Sequence, residues 1–454
     1  MEEINKVKRC EFNIIILLKV EPMGRTTDVS LRQLFIYQIF VRNHTEAGTF
    51  DAVVEDLDRI QRLGVDVVYL LPIHPIGEKN KKGVLGSPYA IRDYDTINSE
   101  LGTLEDFKRL IQAVKARGMM IMMDIVFNHT SYDSVLLKNH PEYFYRNAAN
   151  AFKNRIGDWW DITDFDYTKD KGLWRYLIDN LKTWTQLGVD GFRFDVASFL
   201  PLEFLEQAHE EVKELNPNTV WLSESVHGGF LKAFRDEGFK ALSESEIYQV
   251  FDLAYDYDTH PAFEQYLLKR GPLQAYVDWV MLQEEIYPKN YVKLRNLENH
   301  DFGRIAAHLN NDEELLDHWH AFAFFNKGAT MMYAGEEFSD DNRPNLFDKD
   351  VVNRNGRDCS VLIKRCAAIV KNPLFSEGVY KLTKAEDKDV LIGSYKYRGT
   401  CAIGVFNVNH ERGKVGVELP DGRYTNLIND TVISVDNGNI EIGNTPVIIK
   451  VKLG

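Results

Sequence analysis

Cysteine is scarce in this chain: there are four, Cys10, Cys359, Cys366 and Cys401, with no close CxxC pair. That excludes a disulfide scaffold and a structural zinc site, and it predicts free thiols in a reducing compartment. No uninterrupted apolar stretch approaches the ~20 residues of a membrane-spanning helix, so no membrane partner is expected. The run Ile14-Ile15-Ile16-Leu17-Leu18 follows Lys6, Lys8 and Arg9 as a signal peptide would. However, Glu2, Glu3 and Glu11 flank it, Lys19 ends it and no A-x-A-like cleavage site follows. A cytoplasmic location is the expectation. Excess positive charge is also missing, since 54 Lys and Arg against 68 Asp and Glu leave a formal net charge of −14. A nucleic-acid partner, which needs a basic surface to neutralise phosphates, is not expected. Nucleotide chemistry lacks its signatures too: Gly77-Glu-Lys-Asn-Lys-Lys-Gly83 has no G-K-[ST] ending, and no strand is followed by G-x-G-x-x-G.

What is present is ordinary globular composition, 44% hydrophobic and 27% charged over 454 residues, enough for about three structural units at ~150 residues each. From about residue 31, short apolar, β-branched or aromatic runs alternate with longer amphipathic stretches, the βαβα signature of a parallel sheet. Eight strands are predicted, at 34–40, 67–72, 119–127, 191–195, 220–225, 250–253, 292–297 and 330–333. Helical patterns lie between them at 50–63, 104–117, 173–187, 202–215 and 315–326, and Gly64, Gly118 and Gly188 stand where helices should stop. The fold class expected is α/β, a (β/α)8 barrel with long loops. An irregular stretch rich in Asn, Asp and aromatics, 129–170, reads as a small insertion after the third strand. Short alternating segments from 376 onward (390–395, 400–406, 447–451) read as a C-terminal antiparallel β-sandwich. The predicted division is an N-terminal extension (1–30), the barrel (31–128 and 171–375), the insertion (129–170) and the sandwich (376–454).

In such a barrel the reacting groups sit at the C-terminal ends of strands. Four predicted strands end in polar clusters: Asp124-Ile-Val-Phe-Asn128-His129, Gly191-Phe-Arg193-Phe-Asp195, Trp221-Leu-Ser-Glu224 and Glu298-Asn299-His300-Asp301. Taken singly, each acid reads as a helix cap or a solvated loop residue. Together, Asp195, Glu224 and Asp301 come from different strands and can converge on one pocket. Paired carboxylates suit glycoside cleavage, in which one acid protonates the leaving oxygen while another carboxylate attacks or stabilises the oxocarbenium-like centre. Arg193, two residues before Asp195 on one strand, shares its face and supplies a cation that keeps it ionised. His318 and His320 are two apart on a helix, which makes them poor joint metal ligands.

In this order the four segments resemble the conserved regions of the α-amylase family, glycoside hydrolase family 13, and the likeness covers nearly the whole chain. The resemblance implies Asp195 as nucleophile, Glu224 as general acid/base and Asp301 as the carboxylate that holds the distorted sugar. It further implies substrate binding by Arg193, which orients the nucleophile, by His129, Asn299 and His300, and by Tyr89, which stacks on the sugar. Residues 129–170 resemble the family's domain B and the end of the chain its domain C. There are departures. Val196-Ala197-Ser198-Phe199 replaces the Lys-His pair of many secreted members, and Arg42-Asn-His-Thr-Glu-Ala-Gly48 replaces one familiar calcium loop. Asn128 matches a ligand of the other common calcium site, and Asp158, Asp161, Asp164 and Asp166 read as solvated loop acids. No cofactor is therefore expected to be required, with calcium the one metal to consider. The resulting expectation is a retaining α-glucan hydrolase acting on maltodextrins or related oligosaccharides. The alternatives are a same-fold transglycosylase, phosphorylase or α-glucosidase, and a non-catalytic carbohydrate-binding relative. Linkage preference, endo or exo action and oligomeric state are not legible in the sequence.

Overall fold

The computed structural model describes residues 27–155 and 159–452; the apolar run 14–18 and Cys10 lie outside them. The first ten strands are β1 (Phe35–Ile39), β2 (Val67–Leu70), β3 (Met120–Ile125), β4 (His129–Ser131), β5 (Ile162–Asp164), β6 (Gly191–Phe194), β7 (Val220–Ser223), β8 (Leu253–Tyr255), β9 (Lys293–Arg295) and β10 (Ala329–Tyr333). Eight of them close into a parallel barrel in the order β1-β10-β9-β8-β7-β6-β3-β2, while β4 and β5 form a separate antiparallel pair in the insertion.

The strands are apolar along nearly their whole length because both faces are covered, and alternation decides which residue faces which layer. In β6, Phe192 and Phe194 join the cluster between barrel and helices, so Arg193 between them projects into the barrel. In β3, Ile121, Met123 and Ile125 face the helices while Met122 joins the interior cluster, and Asp124 shares its side. Polar side chains enter the barrel interior only near the C-terminal mouth, above a floor that includes Ile36, Tyr69, Met122, Leu222, Leu253 and Leu294. The helices fall where their apolar periodicity put them, for example Phe50–Arg62, Leu104–Ala116, Lys171–Leu187 and Leu202–Leu215. Gly188 caps the third of these at φ +107°, a conformation that a side chain would strain.

The sixth strand departs from expectation. Residues 250–253 carry the apolar pattern of a strand, but Val250 and Phe251 close a buried turn whose N–H groups both return to the Ile247 carbonyl, and β8 begins at Leu253. A short apolar run buried in a turn has no periodicity to distinguish it from a strand.

The chain leaves the barrel through the short helix Pro373–Glu377 and enters β11 (Val379–Lys384), β12 (Val390–Tyr397), β13 (Thr400–Asn407), β14 (Lys414–Gly416), β15 (Gly422–Thr425), β16 (Val432–Val435), β17 (Asn439–Glu441) and β18 (Val447–Lys452). The antiparallel sheet β11-β12-β13-β18 packs Tyr380, Leu382, Tyr395 and Phe406 against the barrel's helices. Its other face packs Cys401, Ile403 and Val405 against Val415 and Val435 of the β14-β17 and β15-β16 ribbons. Gly393 and Gly404 leave room for the ring of Phe325; a Cβ on Gly393 would stand 2.5 Å from it. His318 serves this interface by accepting the Asn407 N–H at 3.0 Å, while His320 points to Glu336, so the two do not share a ligand. Cys359, Cys366 and Cys401 are buried free thiols. Among the described residues, no helix is long and apolar enough to cross a membrane.

Candidate active site

Three strand-end acids, Asp124, Asp195 and Glu224, meet around one guanidinium. Arg193, 0% exposed, donates from Nη1 to Asp124 Oδ1 at 2.8 Å and Asp195 Oδ1 at 2.9 Å, and its Nη2 pairs with Glu224 Oε1 at 2.9 Å. Burial would strip the proton from a lone guanidinium, but these carboxylates push its pKa the other way, well above the usual value. Asp195 experiences the opposite balance. Burial and the nearby Glu224 raise its pKa well above the ordinary carboxylate range, against the pull of Arg193. The second oxygen of Glu224 accepts the Val196 N–H at 2.7 Å, and Val196 sits in the left-handed region at φ 39°. A β-branched residue there is strained, and the hydrogen bond to Glu224 is part of what holds it.

A second network orders the other side. Gln38 Nε2 lies 3.1 Å from His300 Nδ1, Tyr89 Oη lies 2.6 Å from His300 Nε2, and Tyr89 Oη donates to Asp124 Oδ2 at 3.0 Å. With the Gln38 amide donating, the His300 proton belongs on Nε2, aimed at Tyr89, and the tyrosine hydroxyl in turn donates its hydrogen bond to Asp124. Burial lowers the His300 pKa to about 3, so the ring is neutral. Tyr89 and His300 stack at 5.4 Å and 16°. His129, also lowered to about 3 by burial, places Nε2 3.9 Å from Asp195 Oδ2.

Asp195, Glu224, Asp301, Tyr89, His129 and His300 all line one cavity of about 330 Å³. Arg193 and Asn299 do not reach it and act from behind. Asn299, 0% exposed, accepts the N–H groups of Asp301 and Phe302 and donates to Tyr257 Oη at 3.0 Å, which fixes the turn that presents Asp301. Sequence reasoning missed Tyr257, His227, Phe302 and Trp159, which also line the cavity. Tyr257 lies two residues beyond β8, where the misplaced sixth strand hid it; the polar cluster Asp256-Tyr257-Asp258 was the available signal.

Residues 33–372 match the family model described as the alpha amylase catalytic domain, and 381–449 match the bacterial alpha amylase C-terminal domain. The chain belongs to the α-amylase family. An alpha-amylase structure from Lactobacillus plantarum is 41% identical over 93% of this chain and all of its own, with a TM-score of 0.90. A maltogenic alpha-amylase, AmyB, from Thermotoga neapolitana is 30% identical over 94% of this chain and all of its own, with a TM-score of 0.83. Among curated proteins, an alpha-1,4-glucan:maltose-1-phosphate maltosyltransferase from Picrophilus torridus is 31% identical over 52% of this chain and 41% of its own length. The chain thus spans less than half the length of the curated relatives it matches first.

The acids of the insertion differ from the sequence expectation. Asp161, Asp164 and Asp166, expected to be solvated, are buried instead, while Asp158 lies outside the described residues. Asp161 pairs with Lys82 at 2.9 Å, and Asp164 accepts the Arg155 N–H at 2.8 Å with its pKa lifted to about 6 by burial. Asn128, the one residue matching a calcium ligand, has its amide nitrogen on His129 Nδ1 at 3.2 Å. Carboxylates already matched to Lys82 and Arg155 do not fit a calcium site.

Proposed function

We propose that this protein cleaves α-1,4-glucosidic bonds by double displacement and delivers the glycosyl group to a sugar hydroxyl. Asp195 attacks the anomeric carbon as Glu224 protonates the departing oxygen, and Asp301 holds the sugar's hydroxyls. Glu224 then takes the proton of the incoming acceptor while the ester to Asp195 breaks. One guanidinium gripping both Asp195 and Glu224 draws the two carboxyl groups together, which supports the short separation of retaining enzymes over the ~6.5–9.5 Å of inverting ones.

The observation that carries transfer is the aromatic wall beyond Glu224. His227 stacks on Tyr257 at 5.0 Å and 5°, and Phe302, with His260 stacked on it at 3.5 Å, stands beside them. Such faces bind a sugar ring and displace the water that would otherwise attack. The maltosyltransferases among the relatives support the same reading. Hydrolysis is the second reading, favoured by the full-length likeness to the L. plantarum alpha-amylase. Incubation with a maltooligosaccharide donor and excess maltose separates them: products longer than the donor, formed without a matching rise in reducing ends, are expected. A one-for-one rise in reducing ends with no elongation would establish hydrolysis instead. A proton NMR time course should show the α-anomer released first, and β-anomer first would refute double displacement.

A further inference from the structure

The barrel order places β1 diametrically opposite β7, the strand that presents Glu224. A general acid must stand on the leaving-group side of the scissile bond, so the loops flanking β1 face the glycone. Those loops, after β2 and β10, are joined to each other. The Val84 N–H donates to Asp348 Oδ1 at 2.7 Å and the Leu85 N–H to the Phe347 carbonyl at 2.9 Å. Arg42, 4% exposed beneath them, donates to the Gly86 carbonyl at 3.3 Å and the Leu346 carbonyl at 3.5 Å. Gly83 lies so close that a Cβ would stand 2.6 Å from Phe347 Cβ. Lys82 extends the barrier to the insertion: its Nζ pairs with buried Asp161 and sits 4.7 Å from the Trp160 ring and 5.8 Å from that of Phe347. Lys82 and Phe347 both line the catalytic cavity.

We infer that this join, Gly83–Gly86 to Leu346–Asp348 with Lys82 across it, walls off the glycone end and makes the enzyme exo-acting, cutting a short fixed length from the non-reducing end of its substrate. A groove open at both ends would let a glucan lie through it. Here the cavity of about 330 Å³ is at the small end of the ~300–1,000 Å³ typical of ligand sites, and its glycone side ends in side chains and hydrogen-bonded backbone. The inference rests on the double-displacement reading, since that assigns the glycone side.

The test compares 4-nitrophenyl maltoheptaoside with the same compound blocked at its non-reducing 4- and 6-hydroxyls, both followed through product lengths. The uncapped compound should release one short saccharide from the first time points, and the capped one should react at least about a hundredfold more slowly, as when a closed pocket rejects added bulk. Asp348→Ala and Lys82→Ala, each checked by melting temperature, should raise the capped-to-uncapped ratio by about tenfold or more. Comparable rates on the two compounds in the wild type, or a ladder of product lengths from the outset, would overturn the inference and leave double displacement standing. No cleavage of either compound, with no label on Asp195 from an activated glycosyl fluoride, would overturn the double-displacement reading and this inference with it.

Discussion

Replacing Arg193 by methionine removes the cation that touches Asp124, Asp195 and Glu224 while keeping a similar side-chain length. Its side chain is 0% exposed and those of its partners are 0%, 10% and 9% exposed, so water screens these contacts little. Removing one partner of a buried pair costs about 3–5 kcal/mol, because the remaining charge is left uncompensated. Protonation limits that cost, and this sets its pH dependence. The carboxyl pKa of Asp195 is already raised in the folded protein by burial and Glu224, and loss of Arg193 raises it further. A carboxyl whose folded pKa exceeds the unfolded ~3.9 binds more protons in the native state, so stability falls as pH rises through that window. The penalty of Arg193→Met should therefore be largest near neutral pH and shrink as pH falls toward about 4 and below, as Asp195 becomes protonated in both states. Thermal or urea unfolding of wild type and variant, from about pH 7 down to about pH 4.5, measures it. A difference that is flat with pH, or grows toward acid, would refute the reasoning. Turnover should fall by at least about a hundredfold at neutral pH, since the cation that favours the ionised form of Asp195 is then gone.

Asp195→Asn, Glu224→Gln and Asp301→Asn should each lower turnover by several orders of magnitude with melting temperature little reduced; wild-type-like turnover in clean protein would remove that residue from its role. Phe325→Ala, which empties the space between Gly393 and Gly404, should cost about 3–5 kcal/mol and loosen the C-terminal sheet from the barrel, measurable as early loss of hydrogen-exchange protection in β12 and β13. EDTA should leave activity and melting temperature nearly unchanged. A calcium ion bound at 100 to 1,000 times its Kd would contribute ~2.7–4.1 kcal/mol, so a drop of many degrees restored by calcium would contradict the ion-pair reading of Asp161 and Asp164. Efficiency on maltoheptaose should exceed that on granular starch, and equal or higher kcat/KM on granules would show the preference to be wrong.

The sequence carried the barrel and the acids that line its cavity because both are written locally. Helix ends, alternating strands and polar residues closing apolar runs are properties of neighbouring positions, and they brought Asp195, Glu224 and Asp301 to one rim. Residues 250–253 failed because burial on all sides makes a turn and a strand look alike, and Tyr257 was lost with them. Asp161 and Asp164 failed for a related reason: their partners Lys82 and Arg155 lie outside any short window in which charge pairing can be read, so acids in a polar loop looked solvated.

By itself, then, the chain determined a βαβα barrel with a C-terminal antiparallel sheet and the identity of the strand-end acids, since periodicity and strand termini depend only on residues close in sequence. Only the tertiary structure decided that one guanidinium joins three carboxylates, that Tyr257, His227 and Phe302 gather beyond Glu224, and that the loops after β2 and β10 close the opposite end. Apart from Arg193–Asp195, two positions apart on one strand, those contacts link residues tens to hundreds of positions apart, and they exist because barrel closure places β10 beside β1 and β7 across from it.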